Sequence, residues 1–258
     1  MPEAAMKWGN FAPIAPMYSA RAPHSKDVLK CISALVPEED GTIRIADIGS
    51  GTGNLLRSLS SLNVSGYAVE PTPEMRDEAH RQLAGDTIVD RMEWVGGTAE
   101  NTGLTDSCVS WALMGNLLQW VDRPRAFQEA RRILKDDGFL TISWNVRDYE
   151  KDPVQQRVED TIRGIVPDLY RTEAGLDEIM GGIQTLGKFT EWMYVEQSYR
   201  HRLSADRFFD TWQGVNEIPS QVDEKTWNRV LEAIKGAIPG ESEIDTVWIT
   251  RAWTYKCM

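Results

Sequence analysis

The sequence predicts an α/β fold built on a mostly parallel sheet with helices on both faces. Three observations carry that expectation. Strand-like and helix-like patterns alternate regularly through residues 42–146. The run Asp47-Ile48-Gly49-Ser50-Gly51-Thr52-Gly53-Asn54 joins the first strand pattern to the first helix pattern. Glu70 then stands at the end of the second strand pattern. Such alternation implies βαβ units, whose crossover helices cover a parallel sheet on both sides.

Each element follows from its residues. Ile43, Ile45 and Ile48 mark a short apolar strand, and Leu55, Leu56, Leu59 and Leu62 recur at helical spacing. Val64 to Val69 is a second strand. Thr72-Pro73-Glu74 opens a helix with Met75, Ala79 and Leu83 as its inner stripe, since proline suits the first helical position. Met92 to Val95 is a third strand, and Cys108 to Met114 a fourth with Val109, Trp111 and Leu113 on one face. Asp122 caps a helix that turns Phe127, Ala130 and Leu134 inward. That helix is expected to stop at Lys135-Asp136-Asp137-Gly138, with Gly138 in the left-handed conformation of a helix end. Phe139 to Trp144 is a fifth strand.

After residue 147 the rhythm breaks. The sequence predicts helices near 153–165 and 173–182 with Pro167 between them, and an extended run from Phe189 to Arg202. Ser204 opens a helix through Phe208, Phe209 and Trp212. Residues 223–236 form another helix, and Thr246 to Tyr255 a closing strand. The arm at 1–25 and the insertion at 148–186 fit no layer of the sheet and are read as covers for a pocket.

Composition narrows the function. At 258 residues and 41% hydrophobic, the chain suits one large α/β domain. Its 39 acidic residues outnumber 28 basic ones and no basic stripe is present, so a nucleic-acid partner is not expected. No run is apolar enough to span a bilayer, and Met1 to Lys7 lacks a secretory pattern. Cys31, Cys108 and Cys257 form no CxxC and no metal-ligand spacing with His24, His80 or His201. Reduced thiols, no metal and a cytoplasmic setting are the expectation.

The glycine run carries the chemistry. Glycines at 49, 51 and 53 let the backbone turn sharply and approach a ligand closely. The following helix N-terminus favours an anionic group. A dinucleotide fingerprint needs glycine at 54, which is Asn54, and the Gly-Lys-Ser/Thr of a phosphate loop is absent. Asp47 opposes a pyrophosphate but suits an amine or hydroxyl. S-adenosylmethionine carries an ammonium, a carboxylate and a sulfonium, which fits mixed charge around one loop. Glu70, at the next strand end, can accept both ribose hydroxyls. A tight structural turn alone leaves Glu70 unexplained.

The chain resembles the class I methyltransferases of the type-11 family. The segments that carry the resemblance are the glycine loop, Val69 to Met75, Gly97-Thr98-Ala99-Glu100, Gln119-Trp120-Val121-Asp122, Arg132 to Lys135 and Gly138 to Asn145. His201 to Asp206 and the last strand resemble the C-terminal part of a bacterial-type small-molecule branch. The family often has His-Trp-Phe at 119–121 and Lys-Pro-Gly-Gly at 135–138. Tyr18 to His24 follows its Tyr…Arg-Pro pattern loosely. The resemblance implies a Rossmann-like seven-stranded sheet with the last strand antiparallel. The division it suggests is an arm at 1–25, a cofactor-binding core at 26–147, a cap insertion at 148–186 and a completing segment at 187–258.

Roles follow. Gly49, Ser50, Gly51 and Gly53 shape the methionine side of S-adenosylmethionine, and Asp47 faces its ammonium; the plainer reading of Asp47 is a turn former. Glu70, with Pro71 beside it, holds the ribose, while Thr72 and Met75 flank the adenine unless Met75 is simply core. By the resemblance, Thr98 and Ala99 line the adenine edge and Glu100 supports the loop. Gly115 and Asn116 run under the methionine portion and the transferable methyl. Arg21 pairs with the cofactor carboxylate and Tyr18 closes over it, or both are exposed arm residues. Trp120, Trp144 and Asn145 face the acceptor, with Trp8, Phe11, Trp192 and Trp212 as further walls.

Methyl transfer from an activated sulfonium needs no metal. In-line positioning can supply about 7–11 kcal/mol, and a general base only ~10²–10⁴-fold. His24 is the one histidine placed to act as base, or else it is solvated; Asp148 is the other candidate. Positioning and water exclusion are therefore expected to dominate. That suits transfer to an O or N of a small organic acceptor, a carboxylate or amine more readily than a hydroxyl, with S-adenosylhomocysteine as product. The rival readings are a protein that binds S-adenosylmethionine without transferring methyl, and a nicotinamide oxidoreductase, which Asn54 and Asp47 disfavour.

Overall fold

The computed structural model describes residues 11–171, 183 and 188–258. Among the described residues, seven strands form one sheet in the order β3-β2-β1-β4-β5-β7-β6. The strands are β1 (Ile43–Ile48), β2 (Val64–Val69), β3 (Met92–Val95), β4 (Val109–Gly115), β5 (Leu134–Arg147), β6 (Phe189–Ser204) and β7 (Glu243–Cys257). β1 to β5 pair in parallel, and β7 runs antiparallel to both β5 and β6. Strand order reverses between β1 and β4, which is where ligands bind in open α/β sheets.

The helices start where their caps dictate. α1 (Ala15–Tyr18) lies in the arm and α2 (Lys26–Ser33) is capped by Ser25. α3 (Asn54–Leu59) follows the glycine loop and α4 (Pro73–Gln82) begins at its proline. Asp122 caps α5 (Arg123–Ile133), Asp152 caps α6 (Pro153–Ile165), Ser204 caps α7 (Ala205–Gln213) and Asp223 caps α8 (Glu224–Ala237). In α2, α5, α6, α7 and α8 a side-chain oxygen accepts from a free N–H of the first turn.

Alternating strand residues bury to opposite sides. Ile43 and Ile45 join α2 and α3 through Leu29, Ile32 and Leu56, whereas Ala46 and Ile48 join α5 through Phe127 and Ala130. A third cluster, which takes in Ile244 of β7, forms where Val158 and Ile162 of α6 meet Phe208, Trp212, Val230 and Ile234. The arm crosses to this part of the molecule: α1 packs beside α7, and Arg207 donates to Ser19 Oγ at 3.3 Å.

Some expectations are corrected. Gly138 is not a left-handed helix end. α5 stops at Ile133, Leu134 is already extended, and Gly138 lies within β5 at a negative φ. An added Cβ there would come within 3.0 Å of Leu134 and the Lys135 carbonyl, so crowding explains this glycine. Leu134 thus belongs to a strand, although it is fully buried as predicted. Leu62 falls beyond the end of α3. The helix expected over 173–182 lies outside the described residues.

Candidate functional site

The carboxyl ends of β1, β2 and β4 open onto a cavity of about 250 Å³. Its floor is the glycine loop. Gly49, Gly51 and Gly53 all take positive φ, at 70°, 54° and 78°, a conformation that costs a residue with a Cβ. Gly49, Ser50, Gly51 and Thr52 line the cavity. Gly53 does not: it is the left-handed residue before α3, and a Cβ there would lie 2.8 Å from Leu83 Cδ1. Its role is to let the loop enter α3 against α4.

Asp47 ends up fully buried. Burial first, and the charge of Glu70 second, push its carboxyl up to about 8. Asp47 Oδ2, Ser50 Oγ and Thr52 Oγ1 are buried with no hydrogen-bond partner among the described residues, and all three residues line the cavity. Unpaired buried oxygens are costly, and so concentrated a set is unusual. Glu70 is held differently. Its Oε2 accepts from the Gly51 N–H at 3.1 Å and its Oε1 from the Thr72 N–H at 2.9 Å. The carboxylate is thereby fixed at the rim of the loop, and each oxygen keeps a further lone pair.

Beyond Glu70, the wall is formed by Pro71, Thr72 and Met75, the last buried in the core as well. Thr98, Ala99 and Glu100 continue it. Thr98 and Asn101 exchange backbone hydrogen bonds in a tight turn. Glu100 Oε1 accepts from the Asp122 N–H at 2.8 Å, tying the turn to the cap of α5. The β4 end supplies Gly115 and Asn116, and Asn116 takes a left-handed φ of 50°.

The arm closes the remaining side. Tyr18 and Arg21 line the cavity, and the Arg21 guanidinium sits 5.3 Å from the Tyr18 ring centre. Phe11 stacks edge-on against Trp120 at 4.9 Å and against Tyr18 at 5.9 Å. His24 is buried rather than solvated, with Nδ1 2.7 Å from Ser143 Oγ. Burial, then the charge of Arg21, hold its imidazole at about 3. So hard a group to protonate is a weak base near neutral pH, which counts against the base role expected of His24, while its Nδ1 shares a hydrogen bond with Ser143. Asp148 is no better placed. It lies outside the cavity lining, and its carboxylate accepts from Ser198 and pairs with Lys151.

Asn145 lines the cavity, but its amide is spent on the protein. Nδ2 donates to the Ala22 carbonyl at 2.9 Å, and Oδ1 accepts from Thr250 Oγ1 at 2.7 Å and the Tyr199 hydroxyl at 3.0 Å. The acceptor-facing role read for Asn145 is thus corrected to that of a clasp for the arm. Tyr199 was not singled out in the sequence. Its contact with Pro23 spans the fold, and no local pattern announces it. A second chamber of about 50 Å³ shares Phe11, Tyr18, Arg21, Asn116 and Trp120 with the first. Trp144 lines only this chamber. Trp212 lines neither and is fully buried in the third cluster. Trp8 and the side chain of Trp192 lie outside the described residues.

Comparison with known proteins settles the family. Residues 46–142 match a model described as a methyltransferase domain. An uncharacterized methyltransferase of Mycobacterium bovis is 32% identical over 192 residues, covering 74% of this chain and 73% of that protein. The chain is a class I S-adenosylmethionine-dependent methyltransferase of the type-11 family. This methyltransferase is also 32% identical over 111 residues to a malonyl-[acyl-carrier protein] O-methyltransferase of Pectobacterium atrosepticum, covering 43% of this chain and 41% of that one. Its fold matches that of a putative type II methyltransferase from Anaeromyxobacter dehalogenans, with a TM-score of 0.63 at 19% identity, covering 92% and 97% of the two chains. Among the described residues of the methyltransferase, no helix is long and apolar enough to cross a membrane, and no three His, Cys, Asp or Glu side chains cluster as a metal site.

Proposed function

We propose that this methyltransferase transfers a methyl group from S-adenosylmethionine to an oxygen or nitrogen of a small organic molecule in the cytoplasm. One observation carries the reading: unpaired buried oxygens of Asp47, Ser50 and Thr52 converge on a cavity whose rim is Glu70. When bound, S-adenosylmethionine supplies an activated methyl group and leaves as a neutral thioether. Asp47 receives the ammonium, with the glycine loop and Ser50 along the methionine side. Glu70 receives the ribose hydroxyls through its remaining lone pairs. Thr72, Met75, Thr98 and Ala99 enclose the base, and Arg21 meets the carboxylate while Tyr18 covers it.

The acceptor comes from the side of Trp120 and the second chamber. With its pKa held at about 3, His24 is a weak base, so the residues act chiefly by orienting the acceptor and excluding water. This favours a nucleophile that needs no deprotonation in the transition state, a carboxylate or a neutral amine. Two measurements test the proposal. Titration calorimetry with S-adenosylhomocysteine should give saturable binding that Glu70→Ala weakens severely. Incubation with S-adenosylmethionine and a panel of small carboxylates and amines should release S-adenosylhomocysteine. Near-normal affinity in Glu70→Ala contradicts the placement, and binding without release across the panel contradicts transfer to these classes.

A further inference from the structure

The second chamber holds a polar group that the cofactor reading does not use. Gln119 lines this chamber and not the larger cavity. Its Nε2 donates to the Asn116 carbonyl at 3.0 Å. That bond decides which end of the amide is which, because the reverse orientation would set two carbonyl oxygens against each other. Oε1 is therefore the end left over. It is buried and accepts no hydrogen bond from any described residue.

The group that orients Gln119 is itself fixed. Asn116 sits in the left-handed region, its N–H donates to the Ser143 carbonyl at 2.8 Å, and its side chain bonds the Asn145 backbone twice, at 3.2 and 3.0 Å. A glutamine amide pinned at its donor end presents a one-sided requirement. Leaving a buried carbonyl unpaired is costly, and the cost is relieved only by an incoming N–H or O–H. Asn116 borders both spaces, so a molecule in this chamber lies next to the cofactor cavity.

We infer that Gln119 is a specificity-determining residue whose side-chain carbonyl accepts a hydrogen bond from an N–H or O–H of the methyl acceptor. The apolar body of that molecule rests against Trp120 and Trp144. Phe11 and Tyr18 of the arm wall the chamber. The chemical class is a compact molecule carrying an amine, amide or hydroxyl donor, and a fully substituted or fully deprotonated group does not satisfy this position. The inference rests on the methyl-transfer reading above.

The test uses the full chain saturated with S-adenosylhomocysteine and two matched pairs of fragments: phenol with anisole, and benzamide with N,N-dimethylbenzamide. Binding is followed by ligand-observed NMR, and the site by crystal soaking. Wild type should prefer the donor-bearing member of each pair, and Gln119→Leu should reduce that preference by about tenfold, the most a single neutral hydrogen bond commonly gives. Gln119→Met, closer in shape, should do the same if the leucine variant folds poorly. Affinity for S-adenosylhomocysteine should stay within about twofold in both variants. An unchanged preference in the variants overturns the inference. So does the absence of fragment binding to protein that holds S-adenosylhomocysteine. Wild-type protein that fails to take S-adenosylhomocysteine overturns the cofactor reading itself, which separates the two failures.

Discussion

Asp47 and Glu70 stand at the ends of neighbouring parallel strands, and after burial the charge of Glu70 is what lifts the Asp47 carboxyl to about 8. Two acids are thus held at one loop, and the fold disfavours the charged form of Asp47 there. Glu70 has two backbone N–H donors, whereas Asp47 Oδ2 has none among the described residues. The asymmetry makes Asp47 the group that responds to a cation.

The first prediction follows from that shift. The ordinary aspartate value is 3.8, so the folded protein holds a proton that the unfolded chain releases between 3.8 and about 8. The contribution to stability is full below 3.8 and is lost as pH rises through about 8. The melting temperature of ligand-free protein should fall across this window, and Asp47→Asn should flatten the fall. An ammonium placed against Asp47 expels the proton, so affinity for S-adenosylhomocysteine should rise with pH toward about 8. Calorimetry in two buffers of different ionisation enthalpy should detect up to about one proton released near neutral pH. Heats that do not depend on buffer contradict the ammonium placement.

His24 predicts the opposite sign. Its value falls from 6.5 to about 3, so its contribution to stability is full above 6.5 and is lost as pH falls toward about 3. NMR titration should find the imidazole still neutral at about pH 5, given a folded value of about 3. His24→Gln should soften the loss of stability in acid. The pH dependence of kcat/KM should carry no limb near 6.5 that His24→Gln removes. An imidazole titrating near its ordinary value contradicts the burial argument and restores the base role.

What the sequence disclosed follows from the range of the interactions involved. β1 to β4 and the loop at 47–54 were legible because strand and helix periods, caps and a left-handed glycine run are local signals. Asp47 and Glu70 were legible from their offsets to that run. The clasp on the arm was not. Ala22 to Asn145 spans 123 positions, Ser25 to Thr250 spans 225, and Tyr199 to Pro23 spans 176. Asn145 and His24 line the cavity, but the partners that engage their side chains are ones no spacing reveals. Gly138 misled because glycine marks crowding as well as left-handed turns.

The clasp is the basis of a third prediction. Asn145 joins the arm to β7 and β6 through Ala22, Thr250 and Tyr199. Tyr199→Phe removes one hydroxyl and should cost about 1 kcal/mol in denaturant unfolding. Asn145→Ala leaves several buried groups unpaired and should cost roughly 2–3 kcal/mol. Both should weaken S-adenosylhomocysteine binding, because Arg21, Ala22 and His24 line the cavity beside the clasp. Full affinity in a destabilised Tyr199→Phe protein restricts the clasp to a structural role.

Gly214 offers a cleaner probe of the same arm. It ends α7 at φ −77°, an angle alanine adopts freely, so a substitution there adds no backbone strain. An added Cβ would nevertheless sit 2.8 Å from Met17 C and Tyr18 N, and backbone cannot rotate aside as a side chain can. Gly214→Ala should therefore push α1 off α7 and cost about 1–3 kcal/mol, the usual range for overpacking. Gly240→Ala is the control, since no described residue lies within 4 Å of its added Cβ. Limited trypsin digestion should cut faster after Arg21 in Gly214→Ala and at the wild-type rate in Gly240→Ala. Affinity for S-adenosylhomocysteine should fall in the first variant alone. Equal cleavage in both variants means the arm tolerates the extra methyl group, and then the seat on α7 does not hold Tyr18 and Arg21 over the cavity.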